Sequence, residues 1–157
     1  MNNKYYGKYR AKVVDIKDPE KRGRIRVMCP KVLGNFKSAW CEPCIPVAYD
    51  FGGDFALPKV GEFVWVEFEG GDINKPIYIG GLWCTNKTPS TSYNEKERLI
   101  TWGECKIEMN EGTDVIKISV GSSVVTVNRN SIQLTSPSVT INGRTIQDYI
   151  GDYLISD

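Results

Sequence analysis

The chain has 157 residues, 41% of them hydrophobic, and its 20 Lys and Arg against 19 Asp and Glu leave a formal net charge of +1. That length holds one domain or two small ones, and the even charge lacks the basic excess that a nucleic-acid binder normally carries. No apolar run approaches the roughly 20 residues of a membrane span, and the opening Met1-Asn2-Asn3-Lys4-Tyr5-Tyr6 has no apolar signal core, so synthesis in a cytosol is expected.

Residues 6–84 contain several runs with the period-two alternation of half-buried strands. Lys8 to Ile16 is the first, and the polar loop Lys17 to Gly23 follows it. Arg24-Ile25-Arg26-Val27-Met28 alternates cleanly and is closed by Cys29-Pro30. Ala39 to Val47 carries two prolines, which confine it to an edge or an extended crossing. Glu62 to Glu69 is the strongest strand, with Phe63, Trp65 and Glu67 on one side and Val64, Val66 and Phe68 on the other. Gly70-Gly71-Asp72 signals a turn, and Pro76 to Trp83 is the last strand. No window shows a helical period. Five short strands with Gly/Pro-rich loops predict a small closed barrel, because closure removes the strand edges that invite aggregation.

Residues 85–98 are polar and free of aliphatic side chains, and they are read as a linker. Beyond them Leu99-Ile100-Thr101-Trp102 and Lys106-Ile107-Glu108-Met109 open a region of short alternating runs. Ile116 to Val120, Val125 to Val127, Ile132 to Leu134 and Val139 to Ile141 follow, with equivalent apolar residues 9, 7 and 7 positions apart. Such short strands cannot bury an apolar face alone, so the near-repeat predicts that neighbouring rungs or other chains complete the core. The candidate residues for that core are Ile116, Ile118, Val125, Val127, Ile132, Leu134, Val139 and Ile141. At the end, Ile146, Tyr149, Ile150 and Tyr153 fall at helical spacing, compatible with a short helix or an irregular cap.

The landmarks Gly23-Arg24-Ile25-Arg26-Val27, Trp40, Gly52 to Phe68 and Gly71 to Gly80 follow one another in a distinctive order. In this the chain resembles the OB-fold domain of phage baseplate hub and spike proteins, the baseplate assembly protein V group, and of related type VI secretion spikes. The resemblance implies an all-β protein: an OB barrel over 1–84, the linker 85–98, an intertwined trimeric β-helix or β-prism over 99–144, and a tip or cap segment over 145–157. It further implies a homotrimer docked on a baseplate hub protein in the virion tail, made in the host cytoplasm and touching the host envelope transiently. Its role would be a central spike that plugs the tail tube and transmits force. Tyr149, Ile150, Tyr153 and Leu154 are the candidate tip or seat for a separate tip protein. Some relatives carry a lysozyme domain between barrel and spike, and residues 85–98 are too few for one. Others hold iron at a histidine-bearing tip, whereas this chain has no histidine. Gly23 and Gly61 would permit tight turns, and Trp65 and Phe63 would support the barrel.

Chemistry-bearing alternatives are weaker. The five cysteines, Cys29, Cys41, Cys44, Cys84 and Cys105, are odd in number and irregularly spaced, as expected of reduced, mostly buried thiols. Cys41-Glu42-Pro43-Cys44 has the spacing of a zinc half-site or a redox pair, yet no second such motif accompanies it. Structural thiols are the preferred reading. Without histidine, nucleophilic catalysis lacks its usual base, and no carboxylate pair is placed for glycoside hydrolysis. No enzyme activity, cofactor or metal is therefore expected. The alternative function is an OB-fold protein that binds single-stranded nucleic acid through its aromatics and Lys21, Arg22, Arg24 and Arg26, with a β-rich oligomerisation tail.

Overall fold

The computed structural model describes residues 3–90 and 93–141, together with the backbone of 144–145. The chain divides into two compact units, Met1–Lys87 and Thr88–Asp157.

The first unit contains β1 (Tyr9–Asp15), β2 (Arg26–Met28), the single-turn α1 (Pro30–Leu33), β3 (Glu42–Pro43), β4 (Ala48–Tyr49), β5 (Gly52–Gly53), β6 (Phe63–Phe68) and β7 (Pro76–Leu82). Its main sheet has the order β2-β1-β6-β7-β3, with β3 parallel to β7 and the other pairs antiparallel. The two edges of this sheet meet. Ile25, just before β2, bridges Cys41, just before β3, and the two residues exchange backbone hydrogen bonds of 2.7 and 3.2 Å. Closure into an OB-type barrel leaves no free edge along that seam.

The interior is small and aliphatic. Ala11, Val13, Ile25, Val27, Val64 and Val66 are each at most 1% exposed, and Phe68 and Tyr78 complete the core with Cys29 and Cys41. Each fully buried Val or Ile side chain stabilises the fold by roughly 1.5–3 kcal/mol. Alternation along β6 decides which side chains take part, since its inward positions are Val64, Val66 and Phe68. Phe63 and Trp65, expected to support the barrel, stand half-buried on its outside, with the Arg10 guanidinium 5.5 Å from the Trp65 ring. Gly61 adopts φ +94 at the turn into β6, a conformation that a side chain disfavours. Pro76 opens β7, as expected of a residue that lacks an N–H.

The second unit is an antiparallel meander of β8 (Glu97–Trp102), β9 (Cys105–Asn110), β10 (Val115–Val120), β11 (Ser123–Val127) and β12 (Ile132–Thr135), followed by the pair β13 (Thr140–Ile141) and β14 (Arg144–Thr145). Strand β8 takes in Glu97 and Arg98, so regular structure begins inside the stretch read as linker. Two-residue turns at Gly103-Glu104 and Gly121-Ser122 join β8 to β9 and β10 to β11. A longer turn after β11 is held by Asn128, whose Oδ1 accepts from the N–H groups of Asn130 and Ser131 at 2.8 Å. The spacing of 9, 7 and 7 is thus the length of a strand plus a hairpin turn within one chain. It does not mark equivalent positions on successive rungs: Ile118, not Ile116, faces Val125, because antiparallel pairing reverses the order. The candidate tip residues Tyr149, Ile150, Tyr153 and Leu154 lie outside the described residues.

Candidate assembly surface

Because directly paired residues of a sheet point to the same side, the register of the meander sorts its side chains into two faces. One row across all five strands is Ile100, Ile107, Ile118, Val125 and Leu134. The row beside it is Arg98, Met109, Ile116, Val127 and Ile132. Trp102, Cys105 and Val120 begin a third. The opposite face carries Leu99, Glu108, Lys117, Thr126 and Gln133 in one row, with Glu108 directly across from Lys117. One side of the sheet is therefore apolar and the other largely polar.

Among the described residues, much of the apolar side is exposed in the single chain. Ile100 is 50% exposed, Ile118 50%, Leu134 51%, Ile132 71% and Trp102 58%, whereas the barrel valines are almost wholly out of water. A contiguous apolar surface of this kind marks an interaction site.

Six of the eight residues expected in the shared core (Ile116, Ile118, Val125, Val127, Ile132 and Leu134) stand on this single face. Ile141 is exposed in β13, and Val139 is half-buried just before it, outside a strand. Ile100, Trp102, Ile107 and Val120 join the face although they were not singled out. Their signal was the even number of residues in each turn, which preserves the in-out phase from strand to strand.

In the barrel, the loop between β1 and β2 is fastened by Asp18. Its carboxylate accepts from Arg24 Nη2 at 2.7 Å and Arg24 Nε at 3.1 Å, and from the backbone N–H groups of Glu20, Arg22 and Arg24. The hydrogen-bonded Arg24 guanidinium, helped by those N–H groups and opposed by burial, holds the Asp18 carboxyl far below the usual carboxylate range. The same contact raises Arg24 further above its ordinary value. The guanidinium groups of Arg24 and Arg26 also lie 5.8 and 5.1 Å from the Trp40 ring, so much of the candidate nucleic-acid cluster is engaged with its own barrel.

The cysteines correct one expectation. Cys29 and Cys41 are buried, but Cys44, Cys84 and Cys105 are exposed, so the thiols are not mostly buried. The two members of the Cys41-Glu42-Pro43-Cys44 motif fall on opposite sides of that division: Cys41 forms part of the barrel seam, and Cys44 lies beyond it on the exposed surface. Burial pushes the Cys41 thiol up to about 11, against the effect of its hydrogen bond with Ser38. Burial likewise raises Cys29. Among the described residues, no group of three or more His, Cys, Asp or Glu could hold a metal ion. Among them also, no helix is long and apolar enough to cross a membrane.

Residues 9–83 match the family model of the type VI secretion system/phage-baseplate injector OB domain. No curated protein matches the chain. The matched segment runs from the start of β1 to the end of β7 and takes in the whole closed sheet, which gives the chain a structural role in a baseplate. The barrel, residues 9–83, is thus an injector OB domain of the type VI secretion system/phage-baseplate kind, and the remainder of the chain lies outside the match.

Proposed function

We propose that this chain is the central spike or hub component of a contractile phage tail baseplate, working as a homotrimer and by mechanics rather than catalysis. The observation that carries the reading is the bare apolar face of the meander, joined in one chain to an injector OB domain. Three copies related by a three-fold axis would turn these faces inward as a β-prism and leave the Glu108–Lys117 side in water. With strands running across the axis and spaced by about 4.8 Å, the five strands would supply about 24 Å of shaft. That is a short spike, suited to plugging the tube and passing axial force to a separate tip protein. The barrel would seat the trimer on the baseplate hub in the virion tail. Light scattering of the full chain tests the reading: a trimeric mass at micromolar concentration is expected, and a monomer overturns it.

A further inference from the structure

The barrel exposes two aromatic patches of opposite charge. The first is the β4–β5 hairpin. Tyr49 is 70% exposed, Phe55 76%, and Phe51 fully so. Asp50 and Asp54 flank these rings, and between Ser38 and Pro58 the sequence has no Lys or Arg. Neither aspartate forms an ion pair among the described residues.

This hairpin is built rather than loose. Ala48 pairs with Gly53 and Tyr49 with Gly52, and the Asp54 N–H donates to the Val47 carbonyl at 3.0 Å. A side chain at Gly53 would collide with that carbonyl. Phe51 holds φ +63 at the tip, a conformation unusual for a bulky residue, and its fully exposed side chain gains no burial among the described residues to offset it. Backbone strain that presents a large apolar side chain to solvent points to a partner.

The second patch is the outside of β1 and β6. Lys8, just before β1, is exposed, and Arg10 and Lys12 project outward from β1, Arg10 in register with Trp65 and Lys12 with Phe63. Both rings are half-buried. The patch is an aromatic platform edged by cations, one of which, Lys8, is ion-paired with Glu67 of β6 at 4.0 Å; its excess charge is opposite in sign to that of the hairpin, and both surfaces are aromatic.

We propose that the hairpin of one barrel docks on the β1–β6 platform of the barrel in a second copy of this chain, setting Asp50 and Asp54 against Lys8, Arg10 and Lys12. The hairpin follows β3, and the platform lies on β1 and β6, strands that do not adjoin β3 in the sheet order. The contact is thus heterologous, and three copies passing it around an axis close a ring. It rests on the trimeric reading above and adds a collar of barrel contacts to the apolar shaft.

The test uses the full chain with the photoreactive analogue p-benzoylphenylalanine in place of Phe51, a site exposed enough to accept it. Irradiation is expected to yield dimer and trimer bands on a denaturing gel, with the adduct mapping to residues 8–12 or 63–67. The D50K/D54K variant should lose the adduct, and adding K8E/K12E to the same chain should restore it. A trimeric mass with the adduct missing, or mapping elsewhere, overturns the barrel contact and leaves the trimer standing. A monomeric mass overturns both.

Discussion

Ile118 on β10 stands directly opposite Ile107 on β9, and they remain 50% and 38% exposed in the single chain. A pair of β-branched side chains placed so squarely on a sheet normally lies in a core. In the proposed trimer the rest of the core comes from the other two copies, and the consequences can be measured.

The first concerns the sheet. Ile118→Asp would put a charge at the centre of the apolar face in every copy, and the expected result is loss of the trimer, read as a monomer mass by light scattering. Burial of one isoleucine stabilises by roughly 1.5–3 kcal/mol, and three copies change together, so the assembly constant should fall by at least about three orders of magnitude. Lys117→Gln, on the polar face, should leave the mass unchanged. A trimer that survives I118D would show that this face is not what assembles.

The second concerns independence of the units. A chain ending at Lys87, the last residue of the first unit, keeps the closed sheet and its whole core. It should fold as a monomer with a single cooperative thermal transition, followed by circular dichroism. Failure of this fragment to fold would mean that the barrel needs the second unit.

The third concerns acid. Asp18 is held far below its ordinary value by Arg24, so it binds its proton less readily folded than unfolded. The stabilisation from this contact is complete above the unfolded-state value of about 4. It is lost as pH falls below that value toward the lowered folded-state one. Asp18→Asn should lower the melting temperature at pH 7 and flatten the loss of stability between about pH 4 and pH 2. Parallel slopes for the two proteins in that window would exclude this carboxylate as the cause.

The fourth concerns the thiols. With Cys41 pushed up to about 11 by burial, about one part in a thousand is thiolate at pH 8. Cys41 and Cys29 should resist maleimide in the native protein, while Cys44 and Cys84 react. Cys105 lies on the apolar face, in register with Val120 and Trp102, and should react in I118D but be protected in the trimer. Mass spectrometry of the labelled peptides distinguishes these outcomes. Rapid labelling of Cys105 in the trimer would place it outside the shared core. Removal of metal with a chelator should leave the melting temperature unchanged.

Much of this could be read from residue order. Four of the five barrel runs became strands near their expected limits, because alternation, Pro76 and the glycine turns are local signals. Ala39 to Val47 was less legible. Only Glu42–Pro43 forms a strand there, and the barrel closes through one backbone bridge between Cys41 and Ile25, which no periodicity announces. The β4–β5 hairpin escaped notice because its apolar residues face solvent, against the usual meaning of an apolar run. Alternation along Glu62 to Glu69 puts Trp65 and Val66 on opposite sides but does not say which side faces in; the closure of the barrel around Val64 and Val66 decides that.

The sequence by itself determined the strand periods, the turns between them, and the presence in the second unit of apolar faces too short to bury themselves. Those properties depend on neighbours along the chain. The tertiary structure alone decided that the apolar residues of five strands share one bare face, that two barrel edges meet at Ile25 and Cys41, and that acidic and basic aromatic patches lie on separate strands. Each of these depends on register and closure, which fix how residues far apart in sequence align, and such alignments leave no local mark on the order of the amino acids.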